Sequence, residues 1–115
     1  MFVSIAVDAA SEARAKELAD LLAQYGFVRV QRGLWEATEV SPGMLARVKR
    51  DLDKATDAFD RLRFFQFPIE GTLVLSSLRE KKWRRVVAKE VLNPSEAKGH
   101  SPNTCTRQRT SSRKP

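Results

Sequence analysis

The chain has 115 residues, room for one domain with a core of ordinary size. Its single cysteine, Cys105, excludes an intramolecular disulfide framework, and no apolar run approaches membrane-spanning length, so a cytoplasmic protein without a membrane partner is expected. The formal charge of +7 divides into +3 for residues 1–90 (16 basic against 13 acidic) and +4 for residues 91–115 (5 against 1), a field that attracts polyanions without choosing among them.

Phe2 to Val7 is short, apolar and partly β-branched, and it meets Asp8-Ala9-Ala10-Ser11, which suits a buried strand delivering Asp8 at its C-terminal end. Ser11 suits the cap of a helix in which Leu18, Leu21, Leu22 and Tyr25 form one apolar stripe that ends at Gly26. Phe27 to Val40 reads as extended: Val28 and Val30 alternate with Arg29 and Gln31, Gly33 marks a turn or a bulge, and Leu34 to Thr38 resumes. Ser41-Pro42 begins a second helix, with Leu45, Val48, Leu52 and Ala55 on its apolar face. Leu62 to Phe67 is aromatic enough to be a strand, Pro68 to Gly71 turns the chain, and Thr72 to Ser77 completes a hairpin. Arg79 to Leu92 stays open between a helix, on the spacing of Trp83, Val86 and Val87, and a short strand through Arg85-Val86-Val87. Residues 93–115 are rich in Ser, Thr, Asn, Pro, Lys and Arg without periodic apolar positions, which predicts a basic, disordered tail beyond a domain of residues 1–92.

This order is β-α-β-β-α-β, the ferredoxin-like α+β arrangement, with one additional C-terminal strand. Two helices would cover one face of the sheet. The other face would stay apolar and open, and a second copy of the chain is expected to cover it, giving a homodimer.

Several stretches together resemble the CRISPR-associated protein two family. They are Ile5-Ala6-Val7 before Asp8; the helix with Arg14-Ala15-Lys16, Leu18-Ala19, Leu21-Leu22 and Tyr25-Gly26; Phe27-Val28-Arg29-Val30-Gln31; Leu34-Trp35-Glu36; and Asp60-Arg61-Leu62-Arg63-Phe64-Phe65. The resemblance covers about residues 2–78, with one departure at Val7, where the family usually carries an aromatic. It implies a ferredoxin-like homodimer that binds duplex nucleic acid and bridges the CRISPR integrase during spacer acquisition. Metal-dependent nuclease activity on RNA or DNA is attributed to some members. A toxin-like metal-dependent endoribonuclease and a non-catalytic ferredoxin-like interaction module stand as alternatives.

A magnesium-dependent phosphodiesterase needs hard oxygen ligands, and Asp8 is the candidate catalytic residue and Mg2+ ligand. One carboxylate per chain is a poor metal site; a two-fold axis near the end of the first strand would supply its twin. Arg14, Lys16, Arg29 and Arg32 flank that region, and the cluster Arg79, Lys81, Lys82, Arg84 and Arg85 interleaves with Trp83. These cations are candidates for contacts to a DNA or RNA backbone, which require positive charge but no base reading. Trp35 is expected in the core, and Glu36 in a cross-strand ion pair. His100 is the one histidine, which sets aside a histidine-based triad and a conventional zinc site, and no glycine-rich phosphate loop is present.

Overall fold

A computed structural model describes residues 1–89. The chain runs β1 (Phe2–Asp8), α1 (Glu12–Gln24), β2 (Val28–Gln31), β3 (Leu34–Ala37), α2 (Pro42–Ala55), β4 (Arg61–Phe67), β5 (Thr72–Arg79) and β6 (Lys82–Lys89). The six strands make one sheet in the order β2-β3-β1-β4-β5-β6, with every neighbouring pair antiparallel. Its first four strands and the two helices are the expected ferredoxin-like unit. Two further strands extend it, where the sequence predicted one and left the next segment open between helix and strand.

Both helices begin as their sequences dictate. Ser11 and Ser41 sit in extended backbone and accept, through their hydroxyls, the N–H groups of Arg14 and Met44, satisfying donors that an open helix end leaves orphaned. Leu18 and Leu22 of α1, with Leu45, Val48 and Leu52 of α2, then lie on alternate residues of the strands beneath: Val3, Ile5, Trp35, Leu62, Phe64 and Leu78. Each fully buried Leu or Phe contributes roughly 1.5–3 kcal/mol of apolar transfer, so this layer is the source of most of the fold's stability.

The segment after Arg79 is a strand. The spacing of Trp83, Val86 and Val87 fits a helical face by coincidence; in β6 it is Trp83, Arg85 and Val87 that share one face, opposite Leu78, Ser76 and Val74, while Val86, opposite Leu75, points to the other. Glu80 and Lys81, at φ 56° and 61°, form the two-residue turn that the right-handed twist of a hairpin favours. The turn places two side-chain-bearing residues in a region that favours glycine, and Lys81 is held there by Asp53 and by the carbonyl of Thr56. No helix is long and apolar enough to cross a membrane among the described residues. The basic tail, His100 and Cys105 lie outside the described residues.

Candidate nucleic-acid interface

Because side chains alternate across a strand, the register fixes what the uncovered face presents. At one end Asp8, Arg61, Arg79 and Lys82 stand in a row across β1, β4, β5 and β6. The next row inward is Ala6, Arg63, Ser77 and Arg84, and the row after that is Ser4, Phe65, Leu75 and Val86. The face therefore grades from cationic to apolar within three rows, and Phe2 and Phe67, with ring centres 5.8 Å apart, continue the apolar part.

The cationic end is concave. A cleft of about 690 Å³ is lined by the carboxylates Asp8 and Glu80 and by Arg61, Arg63, Arg79, Lys82 and Arg84. None of these five cations makes an ion pair among the described residues, and neither does Asp8. Like charges gathered on neighbouring strands repel. An anion with several oxygens relieves that repulsion and accepts from guanidinium groups in pairs.

Two devices set the strand end that carries Asp8. Gly33, in the β2–β3 turn at φ 72°, accepts the N–H of Val7 at 2.7 Å, and a Cβ there would come within 2.9 Å of the Val7 carbonyl oxygen. Only glycine combines that backbone conformation with that approach. On the other side, Asp60 precedes β4 and accepts the N–H of Ala10 at 2.8 Å and of Asp57 at 2.9 Å, with Arg14 Nε at 3.4 Å. Asp60 is 1% exposed. Burial pushes its carboxyl up, but the two N–H donors and the Arg14 guanidinium outweigh it, and the group titrates below its ordinary range.

The candidate cations divide. Lys82 and Arg84 join Asp8 in the cleft, whereas Arg85 points to the helix-covered side of β6. Arg32 precedes Gly33 and so sits at the Asp8 end of the sheet, exposed. Arg29 is exposed on the outer strand β2, opposite Trp35 and hence on the helix-covered side. Lys16 is exposed on α1 and pairs with Asp20 at 3.6 Å. Arg14 is half-buried and braces the ends of α1 and α2: it donates to the Ala55 carbonyl and to Asp57 and pairs with Asp60. Trp35 is in the core as expected, and Glu36 has no ion pair among the described residues, facing Ser4 and Val28 instead. The expected cross-strand pair fails because both neighbours are uncharged.

Arg61 and Arg63 are the cationic cleft residues that the sequence did not single out, whereas Arg79 belongs to the basic cluster around Trp83. Their local signal was the alternation of Arg61 and Arg63 with buried Leu62 and Phe64, which puts both arginines on the face away from the core. Their meeting with Asp8 depends on β1 pairing with β4 across more than fifty residues.

The fit of Mg2+ can be judged from the same geometry. The described residues hold no group of three His, Cys, Asp or Glu side chains able to share a metal ion. Two carboxylates, Asp8 and Glu80, among five cations are an unfavourable setting for a divalent ion, which seeks several hard anionic oxygens. One copy of the chain therefore fits a phosphate better than a metal, and no hydrolytic step follows from it.

An antiparallel ferredoxin-like sheet with one face under two helices and the other open and cationic at one end defines the class. The chain belongs to the CRISPR associated protein Cas2 family, whose model matches residues 1–86. No curated protein and no solved structure matches it. Membership connects the chain with CRISPR systems and agrees with the resemblance drawn from Asp8, the Val28 to Gln31 strand and the Asp60 to Phe65 segment.

Proposed function

We propose that the protein serves CRISPR adaptation by holding duplex nucleic acid through backbone phosphates and bridging the CRISPR integrase, as a dimer of two copies. The observation that carries this reading is the cleft of five cations without ion-pair partners among the described residues, on the open sheet face of a chain in this family. Phosphate contacts of this type give affinity and register without reading sequence. The apolar rows around Phe65, Leu75 and Val86 supply the surface for a second copy, and the cationic rows then form a rim along which a duplex can track.

Hydrolysis belongs to this reading only through the dimer. Two copies meeting near the end of β1 would supply two Asp8 carboxylates, the minimum for the Mg2+-dependent endonuclease alternative. A toxin-like endoribonuclease would need the same pair. The proposal is tested by co-purification of the chain with the integrase of its own CRISPR system, followed by sedimentation with and without a DNA duplex. A dimer that forms a ternary complex is expected. A monomer at micromolar concentration that retains neither integrase nor duplex would overturn the reading.

A further inference from the structure

The helix-covered side carries a second cleft, of about 450 Å³, between α2 and the outer strands. Lys49 and Arg50 reach it from α2, Ser76 from β5, and Trp83 and Arg85 from β6. The carboxylate in its wall, Asp53, is already engaged. Lys81 pairs with it at 2.5 Å and the Trp83 indole N–H donates to it at 2.8 Å.

Lys49 is set up unusually for a surface lysine. Its Nζ lies 5.6 Å from the centre of the Phe64 ring and 5.7 Å from that of Trp83, and it donates to Ser76 Oγ at 3.1 Å. It has no ion pair among the described residues. Ser76 stands opposite Arg85 in the β5–β6 register, so an ammonium from the helix and a guanidinium from the strand flank one hydroxyl. Ser76 is buried, at 3% exposure; its hydroxyl accepts from Lys49 and makes no other hydrogen bond among the described residues, which leaves its own proton to donate. Burial first, and the Arg85 charge second, pull the Lys49 amine below its ordinary range, as two cations crowded in a half-buried site require.

Ammonium, guanidinium and hydroxyl donors around one opening suit an anion with several oxygens, and a phosphate accepts from all three at once. Arg84 lines this cleft and the sheet-face cleft alike, and β6 is the outermost strand, so the two basic surfaces meet across a single strand. We propose that the cleft between α2 and β6 binds a backbone phosphate of a nucleic-acid strand that passes over this edge of the sheet, with Lys49, Ser76 and Arg85 as the contacting groups. The choice of a polymer as ligand rests on the proposed function; the phosphate chemistry does not.

The test uses the full chain and follows the Trp83 indole N–H by two-dimensional NMR during titration with pyrophosphate and, separately, with a short DNA duplex. Both probes are expected to shift that resonance saturably. Lys49→Met, which keeps an apolar stem on Phe64 and Trp83, is expected to weaken pyrophosphate at least about tenfold and to reduce the duplex salt slope by about 1. Arg85→Gln, at an exposed strand position, gives an independent second variant with the same expected direction. If pyrophosphate shifts Trp83 while the duplex does not bind, the polymer ligand is wrong and the proposed function fails with it. If the duplex binds but the indole is silent to both probes and neither variant changes affinity, this site is overturned and the sheet-face reading survives.

Discussion

Asp60 and Asp8 stand at the same end of the sheet, yet their surroundings are opposite. Asp60 is buried and holds two backbone N–H groups and a guanidinium, while Asp8 is exposed among five cations and bonds to none of them. The difference reflects the two faces. On the covered side polar groups are matched one by one, as a low-dielectric setting demands, and on the open side a charge excess is left unmatched. A carboxylate of the first kind holds the fold together; one of the second kind is available for a ligand.

The largest effect should come from breaking the matched side. Asp60→Ala leaves the N–H groups of Ala10 and Asp57 without acceptors and Arg14 without its buried partner, and should cost on the order of 3 kcal/mol in urea denaturation. Asp8→Ala should leave the urea midpoint nearly unchanged, since no bond is lost. It should also tighten duplex binding a few-fold by removing a negative charge from the cleft; a loss of binding would instead point to a metal held by Asp8.

Gly33→Ala sharpens the contrast from the side of the backbone. It forces a Cβ against the Val7 carbonyl at a left-handed φ, and a loss of about 1–3 kcal/mol is expected, with duplex affinity falling because the end of β1 shifts. Among the described residues, a buried side-chain atom of the covered side departs from this matching: the Gln66 side-chain oxygen lacks a hydrogen-bond partner. Gln66→Met should therefore raise stability by about 1 kcal/mol, and an unchanged or lower midpoint would count against the matching rule.

The smallest effect concerns Asp53. Bonds from Lys81 and from Trp83 hold its carboxyl below the ordinary range, against a smaller push upward from burial. A depressed folded value means that this stabilisation is present above the unfolded carboxylate value, about 3.9, and is lost as pH falls through the folded value. Stability curves measured from pH 6 downward should accordingly be flatter for Asp53→Asn than for the native chain, by a small margin because the pair is partly open to solvent.

Much of this was legible locally. Ser11, Ser41-Pro42 and the apolar stripes of α1 and α2 announced both helices, and Phe2 to Asp8 announced β1, because caps and periodicity act within a few residues. The strand nature of Lys82–Lys89 was not, since the helical spacing of Trp83, Val86 and Val87 competes with the alternation of Trp83, Arg85 and Val87, and only pairing with β5 decides between them. The same limit hid the cleft. Arg61, Arg63 and Arg79 become a site with Asp8 through strand pairings between distant segments, and Arg14, a plausible phosphate ligand on an isolated helix, is drawn instead to Asp57 and Asp60.

The most direct measurement is the salt dependence of duplex affinity for the native chain and for the Arg63→Ala, Arg84→Ala double variant. Both residues are exposed and make no ion pair among the described residues, so their removal should leave the fold intact. A cationic cleft that grips backbone phosphates requires a steep native slope and a slope shallower by about 2 in the variant, because each lost phosphate contact releases about one counterion fewer. No duplex binding at low salt, or the same slope for both proteins, would contradict it.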